Sequence, residues 1–135
     1  MPDKETAVFA AGRYGLIQPR RTVTAKVIVE LGLALVDDPG WRPGFTEVWD
    51  LRFAPVVDLV PADVPTMLDL ERRTKEALAG SATLIVTAKP LIFYSVKFYA
   101  RLARPFGREV TGLETAAEAA AALGVDVLPD LHPRP

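Results

Sequence analysis

Asp50 and Arg52 flank Leu51 at the end of an apolar run, Asp58 follows in the next stretch, and Lys89 stands between Ala88 and Pro90. An aspartate at a strand end, Thr87 at the end of a later apolar run and a nearby lysine are residue types that accept and read a phosphoryl group. The acidic pair that would hold a magnesium ion after a first strand is missing, however. The threonine and the lysine should also lie on successive strands, not two residues apart as here. A phosphoacceptor or small enzyme built on Asp50, Asp58 and Lys89 therefore requires those side chains to converge on one pocket. Each also has a plainer role. Asp50 and Arg52 can end a strand in water, Asp58 can cap a helix or sit solvated in a loop, and Lys89 can be a loop lysine. Beside a helix that starts near Pro90, Lys89 could also attract an anion.

The remaining chemistry is sparse. With no cysteine, disulfides, thiolate nucleophiles and cysteine-ligated metals are ruled out, and a reducing compartment is expected. The one histidine, His132, lies in a proline-rich tail without a carboxylate or hydroxyl partner nearby in sequence, so neither a general base nor a metal ligand is assigned to it. Asp37 and Asp38 precede Pro39-Gly40, where turn-initiating aspartates belong. No catalytic residue, metal site or cofactor is expected from these patterns, and Trp41 and Trp49 are expected to pack on the core.

The segment Leu91 to Phe106 has more apolar surface than burying one side of a helix needs. At helical spacing Leu91, Ile92, Val96, Tyr99, Leu102 and Phe106 share a face, widened by Tyr94 and Phe98 on one side and Phe93 on the other. The apolar arc reaches about 260°, against roughly 100° for a helix with one buried stripe. Lys97, Arg101 and Arg104 fill the rest. Either neighbours flank this helix deeply, or Phe93, Tyr94, Phe98 and the three cations meet something else. The options are a second copy or protein partner, an apolar ligand, or an anionic membrane surface.

The elements that would position these residues are well signalled. Tyr14 to Gln18 reads as a strand, pairing with Glu5 to Ala10 across the turn at Gly12. Thr24 to Asp37 mixes a β-branched run with helical spacing of its charges and is assigned to helix. Phe45 to Leu51 reads as a strand. Asp63 can cap a helix whose Val64, Met67, Leu70, Thr74 and Leu78 share one face, with Glu71 among the charges on the rest and Gly80 as its stop. Ala82 to Ala88 has the continuous apolar pattern of a strand buried on both faces. The Leu91 helix ends near Pro105, Glu109 to Leu113 forms another strand, and Thr115 with Glu118 opens an alanine-rich helix ended by Gly124. Right-handed crossovers would lay these helices over a mainly parallel sheet.

At 135 residues, half of them hydrophobic, one globular α/β domain over residues 1–127 is expected, with 128–135 as a flexible proline-rich tail. Sixteen basic against seventeen acidic residues argue against nucleic acid as a partner. No apolar run has the length of a signal peptide's apolar region or of a membrane span, so the cytoplasm is expected, with peripheral membrane contact as an option.

Several local sequences resemble the SpoIIAA-like proteins related to STAS domains. These are Asp37-Asp38-Pro39-Gly40-Trp41-Arg42-Pro43-Gly44-Phe45, then Val48-Trp49-Asp50-Leu51-Arg52, and the Tyr99 to Ala103 segment Tyr-Ala-Arg-Leu-Ala. The likeness spans roughly residues 14 to 125. It implies a STAS-like fold, with a four- to five-stranded, mainly parallel or mixed sheet and about four helices. It also implies a non-enzymatic regulatory or binding module, in a family thought to be membrane-associated or ligand-binding. Relatives that act as anti-anti-sigma factors are switched by phosphorylation of a serine at a helix start just after the equivalent of the Phe45 to Leu51 strand. Arg52 to Asp63 holds no serine or threonine, and Asp58 could mimic the charge there.

Overall fold

The structure, a computed structural model, describes residues 4–132. Among the described residues nine strands and α-helices follow one another: strands β1 (Thr6–Phe9) and β2 (Tyr14–Ile17), helix α1 (Ala25–Val36), β3 (Thr46–Asp50), α2 (Val64–Arg73), β4 (Ala82–Val86), α3 (Pro90–Ala103), β5 (Glu109–Leu113) and α4 (Ala116–Leu123). The strands form one sheet in the order β1-β2-β3-β4-β5. The β1–β2 hairpin is antiparallel, while β2, β3, β4 and β5 run parallel. This five-stranded mixed sheet with four helices is the α/β, STAS-like architecture expected from the sequence.

Because the parallel strands advance in one direction, right-handed crossovers place α1, α2 and α3 on the same face. Alternation along each strand then decides what meets them. Ile17, Trp49 and Leu51 turn toward the three helices and form one core with Leu31, Leu35, Trp41 and Leu78. Tyr14, Leu16, Val48, Leu84 and Val86 turn the other way, onto Ala119 of α4 and Leu128.

Local signals explain most element ends. Thr24 caps α1, its Oγ1 accepting from the Val27 amide at 3.3 Å, and this helix overrides the β-branched run because Val27, Leu31 and Leu35 bury on one side. Thr115 caps α4 by accepting from the Glu118 amide at 3.1 Å, and Gly124 ends it with φ 71°. Asp38 starts its turn by accepting from the Gly40 amide at 2.8 Å. Two details differ from expectation. Asp63 sits at the N-cap of α2, but its carboxylate accepts from the Val60 amide at 2.9 Å instead of from the helix. The helix also stops at Arg73, where the Thr74 hydroxyl bonds back to the Leu70 carbonyl at 2.8 Å; turns carry the chain on to Gly80.

The tail departs most from expectation. Leu128 is buried, and Gln18 clamps the segment: its Oε1 accepts from the Leu131 amide at 2.8 Å and its Nε2 donates to the Pro129 carbonyl at 3.0 Å. Over residues 128–132 the chain is docked, not frayed, because a short α4 leaves sheet surface that Leu128 covers. Residues 133–135 of the expected tail lie outside the described residues.

Candidate functional site

Between α2 and α3, over the helical face of β3 and β4, opens a cleft of about 710 Å³. Its origin is the unequal seating of the two helices. α2 leans on α1, where Gly32 leaves room for Leu70. α3 is drawn onto β5, where a Cβ on Gly112 would come within 3.1 Å of Phe93 and 3.2 Å of Val96. The gap between them is walled by Val64, Met67 and Leu70 from α2 and by Ile92, Phe98 and Leu102 from α3, with Trp49 and Ile85 as floor. The volume falls within the usual range for small-molecule sites, and the walls are apolar as such sites require.

The lip is unusually apolar for a surface. Leu91 is 83%, Tyr94 70% and Phe98 57% exposed, and they face Leu59 and Val60, which are exposed across the opening. The loop that carries Leu59 and Val60 is held to α1's approach by the Val23 amide donating to the Val56 carbonyl at 2.9 Å and the Asp58 amide donating to the Val23 carbonyl at 2.8 Å.

The deep end of the cleft is polar. Glu47 of β3, Thr83 of β4 and Glu71 of α2 line it, with Tyr99 of α3 beside them and Arg108, just before β5, behind. The Thr83 hydroxyl donates to Glu47 Oε1 at 2.9 Å and accepts from Arg108 Nη2, which reaches Glu47 Oε1 at 3.4 Å. The Tyr99 hydroxyl donates to Glu71 Oε1. Glu71 Oε2 lies 3.9 Å from Arg108 Nε, too far for a hydrogen bond, and both atoms are buried without a partner among the described residues. Burial pushes the Glu47 carboxyl above its ordinary value, opposed by the Arg108 charge and the Thr83 hydrogen bond. Burial and the neighbouring Glu71 also push the Tyr99 phenol well above its ordinary value, so it stays a hydroxyl donor.

The residues singled out from sequence are distributed differently. Asp50 is fully buried on the α4 side of the sheet, accepting from Gln18 Nε2 at 3.0 Å and from Arg52 Nε at 2.9 Å and Nη2 at 2.8 Å. It is a structural carboxylate, not a solvated strand end. Asp58 is exposed in its loop, and Lys89 Nζ donates to the Pro55 carbonyl at 3.1 Å. No hydrogen bond or ion pair joins Asp50, Asp58 and Lys89 among the described residues, and none of the three lines the cleft. Of the α3 residues, Lys97, Arg101 and Arg104 are exposed, with Lys97 Nζ 5.4 Å from the Phe93 ring centroid and 5.9 Å from that of Tyr94. Phe93 is half-buried against β5, while Tyr94 and Phe98 stand at the cleft.

Glu47, Glu71, Thr83 and Arg108 were not legible as a group, and Glu71 in particular is buried rather than on the solvated side of α2. A signal existed for three of them. Glu47 shares strand parity with Trp49 and Leu51, Thr83 shares it with Ile85, and Glu71 follows Met67 by four residues and precedes Thr74 by three. Nothing local marks Arg108. No helix among the described residues is long and apolar enough to cross a membrane. Compared with family models, curated proteins and solved structures, the chain matches none.

Proposed function

We propose that this chain is a non-enzymatic module of the SpoIIAA-like kind that holds an apolar small molecule between α2 and α3. One observation carries the reading: a cleft of about 710 Å³ with aliphatic and aromatic walls, open through a lip of exposed Leu59, Val60, Leu91, Tyr94 and Phe98. A protein that keeps so much apolar surface uncovered loses the stabilisation of burying it, which an apolar ligand restores. The family assignment is supported by the local sequence likeness and by a fold consistent with STAS-type topology. Asp50, held in its own hydrogen bonds with Gln18 and Arg52, lies outside the cleft, as do Asp58 and Lys89, which supports a binding role over the enzyme alternative.

Nile red, a neutral apolar dye, tests the reading. Its fluorescence should rise on adding the protein, and Ile85→Trp, which fills the floor, should abolish the rise while circular dichroism stays unchanged. Dye binding that survives Ile85→Trp, or none to the original chain, overturns the proposal.

The exposed lip with Lys97, Arg101 and Arg104 beside it favours a second reading, in which the same face meets another protein, a second copy or an anionic membrane. Sedimentation as a monomer together with no binding to phosphatidylserine vesicles would remove it.

A further inference from the structure

We propose, resting on the ligand-binding reading, that the cleft selects apolar molecules whose polar end is an amine and rejects those ending in a carboxylate or phosphate. The charges in its wall are all of one sign. Glu47 and Glu71 lie at the deep end and Asp63 nearer the opening, while no lysine, arginine or histidine lines the cleft among the described residues. The cations of α3 stay outside it, with Lys97 over the rings of Phe93 and Tyr94.

At the deep end two carboxylates face one guanidinium: Arg108 Nη2 reaches Glu47 and Thr83 from behind, while its Nε stands 3.9 Å from Glu71 Oε2 without a hydrogen bond. Glu71 is only 5% exposed, and while Oε1 takes the Tyr99 hydroxyl, Oε2 has no hydrogen-bond partner. A buried carboxylate oxygen without a partner calls for a donor, and an ammonium brings three together with the balancing charge. A carboxylate or phosphate would instead set negative charge and further acceptors against Glu71 Oε2, out of water. The hydrocarbon remainder of the ligand would lie along Met67, Leu70, Ile92 and Leu102 toward the lip.

Calorimetric titration of the full chain with decylamine, decanol and decanoate, each below its micellar concentration, tests this. Decylamine should bind at least about tenfold more tightly than decanoate, with decanol between. Glu71→Gln, which keeps the shape but removes the charge, should weaken decylamine by about tenfold and leave decanol and Nile red unchanged. Decanoate binding as tightly as decylamine, decanol matching decylamine, or a preference for the amine that survives Glu71→Gln would each overturn the inference. In those cases the cleft remains a ligand site. If no probe binds, including Nile red, the ligand-binding reading itself fails. Should Glu71→Gln not fold by circular dichroism, the ranking of the three probes on the unmodified chain decides alone.

Discussion

Gln18 and Asp50 hold together parts of the chain that are far apart in sequence. One Gln18 amide group bonds Asp50, the Pro129 carbonyl and the Leu131 amide, while Asp50 takes the Arg52 guanidinium through two nitrogens. Asp50→Ala strands buried donors, so it should cost roughly 1.5–3 kcal/mol, read as a lower urea midpoint, with Asp50→Asn costing less. The Glu47 carboxyl supplies a pH signature. Its value is raised in the folded chain, so at pH between the ordinary and the raised value the folded state holds a proton that the unfolded chain has released. Stability from this group is therefore complete below the ordinary carboxylate range and is lost as pH rises through that range toward the raised folded value. Glu47→Gln cannot titrate. The melting temperature of Glu47→Gln minus that of the original chain should therefore become more positive as pH rises through this interval, and a difference independent of pH would contradict the assignment.

At the scale of elements, α3 is divided between two tasks. Ile92, Phe93 and Val96 seat it on the core and β5, which Gly112 permits by lacking a side chain. Leu91, Tyr94 and Phe98 are left at the opening. Gly112→Ala pushes a methyl against Phe93 and Val96 and should destabilise by about 1–3 kcal/mol, read in a thermal melt. Leu91→Ala and Phe98→Ala lie on exposed positions and should change stability by no more than about 0.5 kcal/mol. They should nevertheless weaken Nile red binding, which separates the function of this face from its packing. α4 behaves oppositely: Ala119 and Ala120 are buried, and their small size lets the helix close on β4 and β5. Ala119→Leu should overpack that contact at a cost of about 1–3 kcal/mol.

For the whole molecule, the uneven cover of the two sheet faces matters most. Three helices lie on one face, and on the other α4 is completed by Leu128 and the residues that Gln18 holds. Ending the chain after Val127 should therefore lower stability, with Leu128 alone contributing roughly 1.5–3 kcal/mol, and a thermal melt of the shortened chain checks it. Sequence by itself determined the elements and their kind. The hairpin at Gly12, the caps Thr24 and Thr115, the stop at Gly124 and the apolar run at Ala82 act through neighbours a few residues away, and such signals are complete in a short window. It also determined that α3 carries surplus apolar surface, because that count needs only the helical repeat. Only the tertiary structure decided where the surplus goes, that Asp50 is a buried brace on the far side of the sheet, and that Glu47, Glu71, Thr83, Tyr99 and Arg108 meet beneath a cleft. Those facts depend on strand order and on how far α2 and α3 stand apart, which side chains distant in sequence settle by packing, as Gly32 beside Leu70 and Gly112 beside Phe93 show.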